Sequence, residues 1–293
     1  QPPYLGYDHY YFKYTMNNLQ GPLTDEKETF ILKEKARFDA AQAALDELEA
    51  KVASGELGFE QMELQGRQYQ NILAEQAAFN RVYVRYEYIK NTPGAQFLYD
   101  TGYAKLFGMD DADEGLASGM KLAAVLALCL CGVFAMEYKT GMYKVLNATK
   151  RGHGDTIQIK WILSGLLALT VFVCAYLPDL FYIQKYFGLH GLHLPLVSVL
   201  PTELGRFPTV IGGLPVWGYI VILFLMRLVV CMGVALLILA LSLAIRHNVY
   251  TVLCAVGLLL VPLFLHQFGV GIFDLVSLLA LLTTNRLFLS LPL

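Results

Sequence analysis

VWGYIVILFLMRLVVCMGVALLILALSLAI, residues 216–245, carries a single charge, Arg227, along its whole length. A helix needs about 20 consecutive apolar residues to cross a bilayer, so this run reads as a span with length to spare. Three other apolar runs accompany it, at residues 117–136, 161–182 and 249–266. The first holds Lys121 near one end, where its long stem lets the ammonium reach the interface. A fifth run, within residues 269–293, is short and contains Asp274, which suits a re-entrant or partial span. The expected fold class is all-α, a polytopic helical membrane protein.

Composition agrees. The chain is 56% hydrophobic and 16% charged, with a mean hydropathy of +0.48. Soluble domains carry about 25% charge and 45–50% apolar residues. The net charge of -2 and the lack of a basic tract argue against disorder and against a nucleic-acid partner. The near-neutral total hides two unlike halves. Residues 1–115 hold 11 Lys and Arg against 19 Asp and Glu, while residues 116–293 hold 11 against 5. An acidic, polar half is joined to an apolar half whose charges are mostly basic. All five cysteines (Cys129, Cys131, Cys174, Cys231, Cys254) fall in the apolar half, so the polar half has no disulfide framework. They read as small apolar residues facing lipid or neighbouring helices.

In the polar half, residues 1–23 are rich in tyrosine. The absence of an initiator Met and of a signal peptide reads as a fragment or a processed product. From Thr24 a helix is expected: Thr24 suits its cap, and Asp25, Glu26 and Glu28 suit its first turn. Ile31, Phe38, Leu45 and Val52 recur every seven residues, with Ala41 and Leu48 in the intermediate seam. Ser54-Gly55-Glu56 breaks the pattern. A second helix should run to about Lys90, with Met62, Tyr69 and Tyr83 on one line and Ile72 and Phe79 on the next. Together they make an antiparallel hairpin, ended by Thr92-Pro93-Gly94. The stripes pack the helices together. Tyr69, Tyr83, Tyr86 and Tyr88 are candidates for a partner surface, because amphipathic aromatics favour interfaces.

The loops set an orientation. Lys139, Lys144, Lys150, Arg151 and Lys160 lie between the first two spans against Glu137 and Asp155, which makes that segment cytoplasmic by the positive-inside rule. Arg246 and His247 put the turn after the third span on the same side. Residues 1–115 are then extracellular, as is an apolar outer cap at 185–215 with prolines at 195, 201, 208 and 215. His190 and His193 in that cap lack further ligands for a metal and read as surface histidines.

Residues 134–160, FAMEYKTGMYKVLNATKRGHGDTIQIK, are too polar to span and too patterned for a plain loop. Met142, Val145, Leu146 and Thr149 fall at helical spacing with lysines opposite. That is a short amphipathic helix at the inner surface, ended by Gly152, with Glu137 and the lysines turned outward. Arg227, deep in its span, is either a gating or anion-contacting group or half of a buried ion pair with Asp179 or Asp274. No GxxxxGK[ST], GxSxG or HExxH motif is present, and no catalytic residue or metal site is expected.

The string Phe134, Glu137, Gly141, Leu146, Thr149, Arg151, Lys160 resembles the cytoplasmic coupling segment of ABC type-2 transporter permeases. Tyr99-Asp100-Thr101-Gly102-Tyr103, Pro195-Leu-Val-Ser198 and the Arg227 span are also similar to members with a large helical insertion after their first helix. The resemblance implies that residues 116–293 form a permease domain. It implies an exporter subunit of the plasma membrane, bacterial in type, that pairs with a second permease copy or a homologous permease. It implies docking of two cytosolic ABC ATPase subunits, which bind ATP and Mg, through Glu137, Lys139, Thr140, Gly141, Tyr143, Lys144, Leu146, Thr149 and Arg151. The chain itself would then bind no cofactor and contact only those proteins and membrane lipid. Six spans are usual in the family, so the first and last would be missing here. The rival reading is a receptor or sensor whose external hairpin binds a peptide and signals through a partner.

Overall fold

A computed structural model describes residues 6–107, 112–148, 152–199, 212–245 and 247–267. Among them the chain is helical, with no strand beyond two isolated bridges, Gly21 to Phe97 and Pro195 to Pro215. The chain divides into two compact units. One takes residues 1–102 and 186–217, the other residues 103–185 and 218–293. The segment after the second span, expected as a cap on the apolar half, therefore folds with the polar half.

In the first unit, α1 (Gly6–Phe12) runs into a π-helical stretch, Lys13–Leu19. Then come α2 (Asp25–Ala53), α3 (Phe59–Leu73) and α4 (Gln76–Asn91). Thr24 caps α2 by accepting a hydrogen bond from Lys27 N at 3.4 Å. The single second helix read from the sequence is interrupted at Ala74 and Glu75, and Tyr14 donates to the Glu75 carboxylate at 2.9 Å. The helices run antiparallel. Lys90 pairs with Glu28 at 2.7 Å, Lys35 sits 4.0 Å over the Tyr83 ring, and the Phe38 and Phe79 rings lie 4.9 Å apart. Further along, Gly66 leaves room for Leu45.

The core of this unit is aromatic. Tyr11, Tyr14, Phe38, Phe79, Phe97 and Tyr99 are all buried within it. Rings of this size bury 150–250 Å² each, so a few of them supply most of the burial. The tips of Tyr11 and Tyr14 are satisfied. The Tyr11 hydroxyl donates to Asp100 at 2.9 Å, and Arg81 donates to the same oxygen at 2.8 Å while its guanidinium stacks 4.2 Å from the Tyr11 ring. Burial pushes the Tyr11 hydroxyl far above its ordinary range, so it stays a donor. Tyr69, Tyr83 and Tyr88 are partly buried and Tyr86 is fully so. The helix tyrosines therefore serve mainly packing. The segment after the second span is held here too: Arg85 donates to the Ser198 carbonyl, and the Ser198 hydroxyl accepts from Gln96 N at 3.1 Å.

α5 (Thr101–Phe107) leads into the second unit. There α6 (Ala112–Leu130) and α7 (Gly132–Thr140) nearly form one rod. They are followed by α8 (Met142–Ala148), α9 (Gly152–Tyr186), α10 (Val216–Ile245) and α11 (Asn248–Gln267). Three helices are long and apolar enough to cross a membrane: Gly119–Thr140, Gly154–Tyr186 and Val216–Ile245. The fourth run, expected as a span, forms α11, whose described apolar part, Asn248–Val261, is shorter than the three candidate spans. Gly152 opens α9 rather than closing α8. The fifth run, with Asp274, lies outside the described residues, as do Thr149, Arg151 and Arg246.

Small residues thread the contacts between these helices. Ala123, Ala127, Ala168, Ala235 and Ala255 are buried together with Leu126, Leu130 and Ile238. A Cβ on Gly165 would meet Met232 at 3.4 Å. Hydrocarbon gives apolar surfaces no reason to leave it, so close backbone approach through small residues carries the association.

Phe79→Ala in the aromatic core should cost about 3–5 kcal/mol of stability, read as a lower thermal midpoint, whereas the exposed Leu64→Ala should shift it little. Hydrogen bonds from Lys90 and Tyr86 hold the Glu28 carboxyl below its usual range, and Glu28 holds Lys90 above its own. The Glu28 contribution is present above the unfolded value of about 4.3 and is lost as pH falls through the lower folded one. The Lys90 contribution is full below about 10.4 and is lost as pH rises through its raised folded value. Glu28→Gln should therefore lower the thermal midpoint at pH 7, and the gap to the unaltered protein should narrow on acidification.

Candidate functional site

The turn between the first two spans is built residue by residue. Thr140 ends α7 with its hydroxyl donated back to the Met136 carbonyl at 2.9 Å. Gly141 then adopts a left-handed conformation, φ 73°, which favours glycine at the end of a helix. The chain reverses into α8, and the Tyr138 and Tyr143 rings meet across the corner at 4.9 Å. Met136, Lys139, Thr140, Met142, Lys144 and Val145 are exposed, so α8 presents apolar and basic groups side by side. Leu146 is partly buried.

Glu137 turns the other way. It makes an ion pair with Lys160 in the first part of α9, and Lys160 also donates to the Val133 carbonyl at 2.9 Å and lies 4.7 Å over the Phe134 ring. The expected outward Glu137 is thereby corrected. Lys160 is the nearest cation, and both side chains are largely covered, with 16% of Lys160 and 24% of Glu137 exposed. A shielded pair with a backbone acceptor holds its geometry better than a solvated one. It fastens the foot of the second span to the foot of the first.

Just above this clamp the first span is interrupted. Between α6 and α7 the Cys131 carbonyl accepts from the Ser242 hydroxyl of α10 at 2.7 Å, and the Ser242 hydroxyl oxygen in turn accepts from Phe134 N at 3.4 Å. A side chain entering the ladder is a recognised cause of helix bending.

Arg227 is 7% exposed and points to the end of α5, donating to the Leu106 carbonyl at 3.4 Å. Its guanidinium lies 5.2 Å from the Tyr176 ring and 6.0 Å from Phe224. Phe107 of α5 stacks edge-on against Tyr219 of α10 at 4.9 Å. The last carbonyls of a helix lack internal partners and attract cations, so this arginine completes a helix end. Asp179 is exposed, one turn beyond Tyr176, within electrostatic reach of Arg227.

No family model, curated protein or solved structure matches the chain. Among the described residues no group of three or more His, Cys, Asp or Glu is arranged to hold a metal, and the cysteines described there are all free thiols. Of the residues singled out in the sequence, Glu137 through Leu146 come together at one corner, and Arg227 and Asp179 at another place. The sequence reading missed Ser242, Tyr176 and the Leu106 carbonyl. A lone serine in an otherwise apolar run was the available signal for the first.

Arg227→Met should keep the packing and lose the donor to Leu106. The expected cost is about 1–3 kcal/mol, with faster amide exchange confined to residues 103–107 and their neighbours. Arg227→Lys should fall between the two, since it keeps the charge and loses the planar reach.

Proposed function

We propose that the chain is the permease subunit of an ATP-driven ABC type-2 exporter. The observation that carries the reading is the Glu137–Lys160 clamp beneath an exposed, amphipathic α8. A short helix between two spans, with Met142 and Val145 exposed beside Lys139 and Lys144, has the apolar core and charged rim of a docking surface. In this reading α8 seats in a cytosolic ATPase, which holds the ATP and Mg. Movement of that partner reaches the first span through α7 and the second through Lys160, because the two feet are tied. Thr149 and Arg151 extend the docking segment on the sequence pattern alone.

The positive-inside balance supports a cytoplasmic α8 and an extracellular α2–α4 hairpin in a plasma membrane of bacterial type. α9 supplies surface for a second permease copy: Ile162, Leu163, Leu166 and Leu169 are exposed, and an open groove of about 660 Å³ runs beside Trp161, Gly165, Leu228 and Met232. Arg227 then stiffens the bundle rather than meeting cargo.

Co-expressed with the ABC ATPases of its own cell, the chain should co-purify with one of them and stimulate its ATP hydrolysis. Val145→Asp should cut that recovery at least tenfold, a loss of about 1.4 kcal/mol or more, without changing membrane insertion. Lys160→Met should leave docking intact and uncouple hydrolysis from export. Absence of any associated ATPase, or full export by Val145→Asp, would refute the reading.

A further inference from the structure

Two polar side chains stand at the interruption of the first span. The Ser242 hydroxyl, fully buried in α10, donates to the Cys131 carbonyl and accepts from Phe134 N. The other is Asn248, the first residue of α11. Its Nδ2 lies 3.8 Å from where a Cβ on Gly132 would sit. Its Oδ1 is buried and has no hydrogen-bond partner among the described residues. A buried acceptor left open calls for an explanation, because leaving it unmade costs free energy. Gly132 is the weakest helix former in the stretch, and it has space around it: a Cβ there would meet only ordinary contacts at 3.8 Å.

We propose that the Cys131–Gly132 break is a two-position hinge. Ser242 latches the observed position, and Asn248 Oδ1 receives a backbone N–H of the same turn in the second. α7, the Gly141 corner and α8 move about it as one lever, because the Tyr138–Tyr143 contact ties α8 to α7 across the corner. The Glu137–Lys160 pair carries the foot of α9 along with that lever. A packed interior holds such an element in discrete arrangements rather than letting it deform continuously. The hinge deepens the docking role assigned to α8, since it says where the motion of a docked partner is absorbed. Its existence is measured on the isolated protein with no ATPase present, so it stands or falls separately from that role.

The test uses the full chain in lipid nanodiscs, with its five cysteines replaced by alanine and spin labels at Met120→Cys on α6 and Lys144→Cys on α8. Pulsed electron paramagnetic resonance should report two distance populations. Gly132→Ala should merge them into one by stiffening the rod, and Asn248→Ala should remove the population that differs from the observed structure. Ser242→Ala should enlarge that population and speed amide exchange of residues 132–136 about tenfold, with Ser242→Thr restoring both. A single narrow distance, unchanged by Gly132→Ala and by Asn248→Ala, would overturn the hinge even if Ser242→Ala failed to fold.

Discussion

Hydrocarbon cannot hydrogen-bond, so a helix that breaks or a charge that enters there must find its partner within the protein. Three irregularities among the described residues of the apolar half obey that constraint. At the Cys131–Gly132 break, Ser242 serves both a carbonyl and an amide with one hydroxyl. At the foot of α9, Lys160 meets a carboxylate, a carbonyl and an aromatic face. At the end of α5, Arg227 meets a terminal carbonyl and two rings. The polar residues of these helices are few, and each of these three stands where the backbone or a charge would otherwise be unsatisfied.

The other unit solves a different problem. It has water on its surface and can bury apolar area for stability, yet it uses tyrosine where leucine would pack as well. The reason lies in the tips of the rings. Tyr11 reaches Asp100 and Tyr14 reaches Glu75, so each ring fills the core while its hydroxyl ties two distant stretches of chain together. Arg81 and Arg85 extend the same principle, one stacking on Tyr11 and bonding Asp100, the other gripping the Ser198 carbonyl. Segments far apart in sequence are joined by directional bonds laid over an aromatic core.

Periodicity made much of this legible beforehand. The seven-residue recurrence of Ile31 and Phe38, the Thr24 cap, the turn at Ser54-Gly55 and the α10 run all follow from local rules, and the structure follows them. What local rules do not carry is partnership across the chain. Glu137 looks solvent-facing on its own helix because Lys160 is 23 positions away. Residues 185–215 look like a membrane cap because they are apolar, and the described part is tied to the polar half by Arg85 at the Ser198 carbonyl, by Gln96 N at the Ser198 hydroxyl and by Phe187 and Val197 against the aromatic core. Arg227 offers an ion pair or a gate by its own pattern, and nothing in that pattern announces the end of α5 beside it. In each case the deciding partner is a backbone group or a residue with no distinguishing pattern of its own.

A lever that transmits force must be stiff where it is gripped and compliant at a defined place. The corner at Gly141 is spanned by the Tyr138–Tyr143 ring contact, which ties α7 to α8. The feet of the two spans are tied by a shielded ion pair, so a displacement of α8 cannot move one without loading the other. Compliance then has to lie further up, and the weakest element above the clamp is the break at Cys131 and Gly132, where a backbone bond has been traded for a side-chain bond to another helix. Exchanging one side-chain partner for another leaves the number of satisfied groups nearly unchanged. Movement there therefore costs little, while unwinding either neighbouring helix would expose several amides to hydrocarbon. The constraint that makes unpaired polar groups costly in hydrocarbon thus favours motion at a position where one partner can be exchanged for another.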